Sequence, residues 1–360
     1  MIELSVVVPT FNERANVAEL LRRLDVALAG ISWEVVFVDD DSPDGTAALV
    51  REIGQTRNNV RCLQRIGRRG LSRAVVEGML STAAPYLAVI DADLQHDESL
   101  LPAMLQEAKA QALDVVVGSR YVEGGSLGDW GARRAHMSRW ATRVSRLIIK
   151  APLSDPMSGY FLITRSAFES AVRRLSGEGF KILLDLFASS PKPLRFAELP
   201  YTFRNRFAGE SKLDGAVLWE YLLLIIDKMV GRWVPARFVL FSAVGASGLI
   251  VHFAVLALLF RGLALDFGWA QGVATLVAMT SNFALNNAIT YRDRRKRGLG
   301  FLTGLLSFYA ICSLGVVGNV GVANFVFMKQ HSWLLAGLAG AVVGTVWNYA
   351  ASAIFTWGRR

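Results

Sequence analysis

The first two-thirds of the chain alternate short apolar runs with longer amphipathic stretches. The clearest runs are LSVVVP (residues 4–9), EVVFVD (34–39), VRCLQR (60–65), YLAVID (86–91) and DVVVGSR (114–120). Continuous apolar strands separated by amphipathic helices are typical of a parallel sheet that helices cover on both faces. We therefore predict an α/β domain with a mostly parallel sheet in this part of the chain.

The pattern changes after about residue 234, where long apolar blocks replace the alternation. Four segments, at 236–260, 269–290, 301–327 and 333–357, are rich in apolar residues. A helix needs about 20 such residues to cross a bilayer. We predict an α-helical domain with four transmembrane helices over residues 234–360.

This apolar region also contains an internal sequence repeat. FVLFSAVGASG from Phe238 aligns with FYAICSLGVVG from Phe308, and NFALNNAITY from Asn282 aligns with NYAASAIFTW from Asn348. The pattern favours a duplicated helical hairpin, although two apolar helices can also be alike by chance. The asparagines, polar groups at membrane depth, either hold helices together or line a path for lipid.

The distribution of charge indicates how the chain is oriented in the membrane and which class of partner it binds. The 360 residues carry a net charge of +9, with short basic clusters beside apolar segments, which favours anionic lipid or phosphate as partner and not nucleic acid. The loop YRDRRKRG (291–298) and the end TWGRR are basic, whereas the other two connections hold one cation each, Arg261 and Lys329. By the positive-inside rule, we predict a multi-pass membrane protein whose amino-terminal domain, basic loop and carboxyl terminus are cytoplasmic.

Polar residues follow the predicted strands at their carboxyl ends, where parallel sheets bind ligands. These ends carry 9–13, 39–41, 91–93 and Arg120. The first turn, PTFNERAN, lacks the G-x-G-x-x-G of dinucleotide-binding folds, and there is no P-loop motif either. The sequence therefore does not support a dinucleotide-binding dehydrogenase or a P-loop nucleotide-binding protein.

Asp91 and Asp93, in DADLQHDE, are the strongest candidates for chemistry. Two carboxylates at a strand end can share Mg²⁺ or Mn²⁺ with diphosphate oxygens, and the metal then neutralises charge on a leaving nucleoside diphosphate. An acidic turn that caps the next helix is the simpler alternative. In the acidic run at 39–41, Ser42 is expected to cap a helix that starts at Pro43 and so to leave the carboxylates for a ligand.

The stretches VVVPTFNERANV, VDDDSPDGT, DADLQHDE, GSRY, DPMSGYF, GFKILLD and GESKL resemble glycosyltransferase family 2, and within it the polyprenyl-phosphate sugar synthases. They occur in the family's order over residues 4–215, and the tail resembles a GtrA-like membrane domain. The resemblance implies a GT-A domain over 1–212, which the charge pattern places in the cytoplasm. Arginines spread between apolar positions at about 133–150, and the apolar, aromatic-rich stretch at 213–233, predict two helices in the lipid headgroup layer, the second of which would join the two domains. Ordinary core helices are the alternative.

The resemblance also implies roles for individual residues. The donor nucleotide sugar would be bound by Pro9, Phe11, Glu13, Asp39, Asp41, Asp91, Asp93, Gln95, Arg206 and Lys212. Asp91, Asp93 and Gln95 would hold the metal, and the acceptor phosphate would be bound by Arg120, Arg134 and Ser138. Asp91, Asp93, Arg120 and Arg134 form the expected catalytic set. Phe11 stands where many family members have tyrosine, and His96 is expected to be structural more than a ligand.

The acceptor has its own physical argument. The second pKa of a lipid phosphate lies near about 6, so its oxygen is ionised at neutral pH and needs no strong general base. It needs a cationic cradle, for which arginine suits phosphate better than lysine.

The resemblance implies that the chain transfers a hexose to a polyprenyl phosphate of the dolichyl type by metal-dependent inverting displacement, which gives a β-linked product. The same resemblance makes mannose from GDP-mannose the first choice of donor. UDP-glucose is the alternative donor. A hypothesis of another class is that the chain transports or presents a lipid-linked sugar.

Overall fold

The computed structural model describes residues 2–126, 145, 149, 151–176, 181–204, 224, 225, 228 and 234–358. The chain divides into two compact units, Met1–Met229 and Val230–Arg360.

The first unit contains seven strands and six helices among its described residues. The strands are β1 (Leu4–Thr10), β2 (Trp33–Asp39), β3 (Val60–Gln64), β4 (Tyr86–Val89), β5 (Val115–Ser119), β6 (Phe161–Thr164) and β7 (Phe196–Pro200). The helices are α1 (Arg14–Ala27), α2 (Thr46–Thr56), α3 (Leu71–Leu80), α4 (Leu101–Ala110), α5 (Arg165–Ala171) and α6 (Ile182–Ser189).

The seven strands form one sheet in the order β3-β2-β1-β4-β6-β5-β7. Only β6 runs antiparallel to its neighbours, so the predicted mostly parallel sheet is confirmed. The five strands that the apolar runs predict are all present. β6 and β7 are not visible in that pattern, because both strands are short and form by pairing with residues far away in the chain. β6 lies between β4 and β5, and β7 lies at the edge beside β5.

The core lies on both faces of this sheet, as the continuous apolar strands require. Val6 and Val8 of β1 pack on one face with residues of α1 and α4, and Val7 packs on the other with residues of α3. The approach of α3 is close: a Cβ added at Gly78 would lie 2.5 Å from Cγ1 of Val7. This packing holds the carboxyl ends of β1, β2 and β4 side by side.

The second unit is helical. Its long helices are α7 (Ala236–Ala257), α8 (Phe267–Ala288), α9 (Leu299–Gln330) and α10 (Trp333–Ala351), and short π-helical turns follow α7 and α10. α7 packs on α8, and α9 packs on α10.

The count of membrane-spanning helices differs from the prediction of four. Within the described residues, three helical segments are long and apolar enough to cross a membrane: Ala236–Gly262, Leu299–Gln330 and Leu335–Thr356. α8 has 22 residues but does not reach the same apolarity, since it contains polar residues such as Gln271, Asn282, Asn286 and Asn287.

Two of the membrane-depth asparagines pack against glycines of the neighbouring helix. A Cβ added at Gly248 of α7 would lie 2.4 Å from the carboxamide of Asn282 in α8. In the second hairpin, a Cβ added at Gly315 of α9 would meet the carboxamide oxygen of Asn348 in α10. These contacts favour helix packing as the role of both asparagines.

Candidate active site

Three loops that follow neighbouring strands form the candidate site. β1 pairs with β2 along its whole length, ending with Thr10 opposite Asp39, and its other edge pairs with β4. Each of the three loops contains a non-glycine residue in the left-handed region: Asn12 at φ 57°, Asp41 at φ 59° and Leu94 at φ 62°. Such residues are uncommon and mark tight turns that the surrounding structure must hold.

Asp39 joins the first two loops. Its buried carboxylate accepts hydrogen bonds from the Thr10 hydroxyl (3.1 Å), the Ser42 hydroxyl (2.6 Å) and the Ser42 N–H (2.9 Å). The Ser42 hydroxyl in turn accepts a bond from the N–H of Asn12 (2.9 Å). Asp39 therefore organises the turn, and its burial argues against the predicted direct contact with a donor.

The expected helix cap at Ser42 is wrong. α2 begins at Thr46, and Asp44 accepts the N–H of Thr46 (3.0 Å) and its hydroxyl (2.6 Å). The reason is that the Asp39 carboxylate already engages both the N–H and the hydroxyl of Ser42.

The two other acids of this loop have different partners. Asp40 is paired with the guanidinium of Arg65, a side chain with no exposed surface, and Asp40 also accepts the N–H of Gly70 (2.7 Å). The half-buried Asp41 accepts a bond from the Gln64 side chain (2.9 Å). Of the predicted acids at 39–41, Asp41 is the one whose side chain has substantial exposed surface.

The loop after β1 presents an aromatic wall. The Phe11 ring is half-buried, and the guanidinium carbon of Arg69 lies 4.3 Å from its centroid. Pro9 beside it is also half-buried. Glu13 accepts a bond from the Asn16 amide (2.7 Å) and donates its N–H to Thr46 (3.2 Å). Arg69 is not among the predicted residues, and the basic run RIGRRG (65–70) is the signal that could have found it.

The loop after β4 holds the paired acids. The Asp93 carboxylate accepts the N–H of Gln95 (3.2 Å), and the Gln95 side chain donates to the Arg204 carbonyl (3.0 Å). Asp91 is half-buried, whereas Asp93 is only 7% exposed. No group of three or more His, Cys, Asp or Glu side chains in the described part of the chain is placed to hold a metal. A metal held by the two acids would need a further oxygen, either from Gln95 or from a bound diphosphate. Oxygen ligands of this kind suit Mg²⁺ and Mn²⁺.

His96 positions this loop. Its ring is buried and stacked on Tyr160, with centroids 5.1 Å apart, and burial lowers its pKa to about 4. The neutral ring accepts the N–H of Asp91 at Nδ1 (3.2 Å), so its proton is on Nε2, which lies 3.9 Å from an Asp91 oxygen. This agrees with the structural role expected for His96.

Arg120 is built into the site by Asp155. Nε and Nη2 of Arg120 donate to the two oxygens of the buried Asp155 carboxylate, at 2.7 and 2.8 Å. Burial opposes the charge on Arg120, but the hydrogen bonds and charge of Asp155 outweigh it and raise the pKa of Arg120. Any contact with a phosphate would therefore have to use the Nη1 side of the guanidinium.

Lys181 is a cation of the site that the sequence prediction missed. Its ammonium lies 3.4 Å from the Met157 carbonyl, and burial, with the nearby charge of Arg120, lowers its pKa to about 8. The loop that carries Met157 also approaches Asp91, since a Cβ added at Gly159 would lie 3.3 Å from an oxygen of Asp91. The only sequence signal was its place in GFKILLD.

Four predicted site residues, Arg134, Ser138, Arg206 and Lys212, lie outside the described residues. Of the predicted interfacial segments, the structure describes Ser145, Ile149, Leu224, Ile225 and Lys228. Their roles stay predictions.

The paired acids and the aromatic wall lie at the strand ends of a mostly parallel sheet, with the buried Arg120 after β5 and the half-buried Lys181 before α6. This set fits a nucleotide-sugar-dependent transferase. Residues 5–171 match the profile of Glycosyl transferase family 2, and residues 240–357 match that of the GtrA/DPMS transmembrane domain.

Curated relatives support the same family, one of them over the full length of the chain. The dolichol-phosphate mannosyltransferase of Pyrococcus furiosus is 34% identical over 357 residues, which cover 99% of each chain. That of Mycosarcoma maydis is 39% identical over 246 residues, 66% of this chain and 83% of the relative. The chain belongs to glycosyltransferase family 2, in the dolichol-phosphate mannosyltransferase family, and is a membrane glycosyltransferase.

Among solved structures, glucosyl-3-phosphoglycerate synthase from Mycobacterium tuberculosis in complex with Mn²⁺, UDP and phosphoglyceric acid is similar at 17% identity. The alignment has a TM-score of 0.46 and covers 64% of this chain and 78% of that one.

Proposed function

We propose that this enzyme transfers mannose from GDP-mannose to a polyprenyl phosphate of the dolichyl type. The observation that carries the proposal is the placement of Asp91 and Asp93 after β4, beside the loops that follow β1 and β2. The choice of mannose and of a dolichyl-type lipid follows the names of the curated relatives, of which the one from Pyrococcus furiosus matches over the full length.

Asp91, Asp93 and the Gln95 carbonyl oxygen are the residues proposed to hold Mg²⁺ or Mn²⁺. The Asp91 and Asp93 loop fits this role because His96 and the Gln95 N–H hold it in place. When bound, a divalent cation neutralises charge on the diphosphate. The protein contributes the two carboxylates at fixed positions and keeps the neighbouring histidine neutral.

The nucleotide is proposed to lie along the loops after β1 and β2. Phe11 supplies a flat apolar face, and Pro9, Glu13 and Asp41 lie in the same two loops, with Arg206 and Lys212 as proposed contacts of the diphosphate. Asp39 acts indirectly in this proposal, since it ties Thr10 to Ser42 and so shapes the pocket.

The acceptor phosphate is proposed to be the nucleophile. One of its oxygens bonds to the anomeric carbon of mannose while the bond from that carbon to the diphosphate breaks, and the electron pair leaves with GDP. The attack from the opposite side inverts the configuration and gives the β-linked product. Arg120, Arg134 and Ser138 are proposed to hold the phosphate, which is ionised at neutral pH and loses no proton in the step.

We propose that α8 also crosses the membrane, which restores four spans. The helical segment containing α7 ends at Gly262 and α8 begins at Phe267, so the two helices pack as an antiparallel hairpin. At about 1.5 Å per residue, a 22-residue helix is about as long as the hydrocarbon core is thick. Because α7 spans, α8 must return, with Asn282 shielded against Gly248. The amino-terminal unit, the loop at 291–298 and the carboxyl terminus are then all cytoplasmic, as charge predicts.

The deciding experiment incubates the purified full chain with Mg²⁺ or Mn²⁺, polyprenyl phosphate and a panel of nucleotide sugars. Lipid-linked sugar is measured by mass spectrometry. We expect product from GDP-mannose. Preference for UDP-glucose would replace the donor in this proposal, and no transfer from any donor by folded protein would favour a transporting or presenting role.

Asp93→Asn tests the metal role without changing side-chain size. Removing one preorganised charge at a reacting centre typically lowers turnover about a hundredfold or more, and we expect at least that loss. Asp114 immediately precedes β5, at the amino end of that strand, whereas the paired acids follow the carboxyl end of β4. Asp114→Asn is therefore the matched control and should keep activity. Undiminished, metal-dependent turnover in Asp93→Asn would remove Asp93 from the metal site.

A further inference from the structure

The membrane unit contains a groove whose lining residues are not among those proposed for the transfer reaction. It lies between the last turns of α8 and the basic loop before α9 and has a volume of about 620 Å³. Its lining includes three consecutive cations, Arg295, Lys296 and Arg297, together with apolar surface from Leu285, Ala288 and Phe301.

The basic loop is held firmly against the helices. Asn287, which is buried, accepts the N–H of Lys296 (2.8 Å) and the indole N–H of Trp357 (3.2 Å), and it donates to the Lys296 carbonyl (3.1 Å). Trp357 is itself buried and stacks on Tyr291, with ring centroids 4.2 Å apart. These contacts fix the backbone of the loop at Lys296, beside the groove.

The three cations have different surroundings. The stem of Lys296 packs on α9, since a Cβ added at Gly304 would lie 2.6 Å from its Cδ. Arg295 and Arg297 are exposed. None of the three forms an ion pair with a carboxylate side chain that the structure describes. Their charge is thus available for an anion in the groove.

We propose that this groove binds the phosphate-monoester headgroup of a membrane lipid, and that the lipid is a second molecule of polyprenyl phosphate. A phosphate monoester carries about 1.5 to 2 negative charges at pH 7, which suits three cations better than the single charge of a phosphodiester lipid does. The apolar wall of Leu285, Ala288 and Phe301 would lie against the first units of the chain. Basic pockets between membrane helices are typical sites for anionic headgroups.

The site would hold acceptor lipid on the membrane unit, apart from the strand-end acids. The preference for a phosphate monoester is inferred from the residues of the groove alone. The choice of polyprenyl phosphate as the lipid rests on the proposed function. Binding can therefore be measured whether or not the chain transfers mannose.

Equilibrium binding of radiolabelled polyprenyl phosphate to the full chain in detergent tests the proposal. We expect two bound lipids per chain, one at the proposed acceptor site and one in the groove. Arg295→Gln/Arg297→Gln should weaken the second binding event at least about tenfold, since each arginine lost removes a charge-assisted hydrogen bond. Both side chains are exposed, so the variant should fold.

Arg261→Gln/Lys329→Gln is the matched control, because it removes two cations from the other connections of the same unit. It should bind as the unchanged chain does. Unaltered binding by Arg295→Gln/Arg297→Gln would overturn the site. Equal competition by phosphatidylglycerol would overturn the monoester preference, and displacement by equimolar inorganic phosphate would overturn the lipid as the source.

Discussion

Burial lowers the pKa of two nitrogen bases near the paired acids, His96 and Lys181. His96 is held neutral, so it can accept the N–H of Asp91 without adding charge beside the proposed metal. Lys181 is different, because its lowered pKa of about 8 lies just above neutral pH. It is protonated below that pH and loses its charge as the pH rises through it.

Lys181→Arg tests whether this charge matters for turnover. If the ammonium stabilises the donor diphosphate, activity of the unchanged enzyme should fall as the pH rises through about 8. Arginine stays charged, so the variant should keep its activity to higher pH. Lys181→Met should be weak at every pH and lack the alkaline fall.

The measurement is kcat/KM for the proposed donor, GDP-mannose, from pH 6 to about 10, a range that covers the lowered pKa of Lys181 and ends below the ordinary lysine pKa of about 10.4. Lys192→Arg, a change at an exposed lysine, serves as the control. An alkaline fall at the same pH in Lys181→Arg as in the unchanged enzyme would assign it to another group.

Among the elements, the β2 loop, the β3 end and the start of α3 are joined by one buried ion pair. Arg65 follows β3 and binds Asp40 after β2, and it also donates to the carbonyl of Gly70 just before α3 (3.2 Å). Glu77 of α3 lies 3.3 Å from Arg65 Nε. The pair fixes the wall of the site that carries Arg69 and Phe11.

Asp40→Ala should destabilise the fold strongly. It leaves a fully buried guanidinium with Glu77 as its remaining described carboxylate, and breaking a buried pair in this way costs about 3 to 5 kcal/mol. The measurement is the midpoint of thermal or denaturant unfolding. Asp25→Ala, which breaks the partly exposed pair with Arg57, should cost less than about 1 kcal/mol. Equal losses in the two variants would show that the Asp40 pair has no special structural role.

For the whole molecule, the number of spans decides which parts share a side of the membrane. Four spans place the loop at 291–298 with the amino-terminal unit, and Lys329 on the other side. If α8 did not cross, the loop at 291–298 would lie on the side opposite the amino-terminal unit. The packing of α7 on α8 favours a crossing, because their short connection directs α8 back along α7.

Single cysteines test this arrangement. In a Cys62→Ser/Cys312→Ser background, Arg297→Cys should react with an impermeant maleimide from the side of the catalytic unit, and Lys329→Cys from the other side only. The measurement uses sealed vesicles of known orientation. The reverse pattern, in which Lys329→Cys is labelled from the side of the catalytic unit and Arg297→Cys from the other, would contradict four spans and show that α8 does not cross.

Much of the active-site edge could be predicted from local patterns. The apolar runs indicate the strands, and parallel strands end at a common edge, so Asp91, Asp93 and Asp41 were expected together. The partners of these residues could not be predicted in the same way. Asp155 lies 35 residues from Arg120 and belongs to no repeating pattern that would pair them.

The sequence by itself determined the mostly parallel sheet, the edge that carries the acids and the apolar character of the second unit, because each follows from periodicity within a short window. Only the tertiary structure decided which acids are buried, with Asp39 and Asp40 turned to structural partners and Asp41 left half-buried. It also decided that Lys181 joins the site and that Asn287 holds the backbone of Lys296 beside a groove lined by three cations. These features depend on contacts between residues distant in the chain, which the local pattern of apolar and polar positions does not encode.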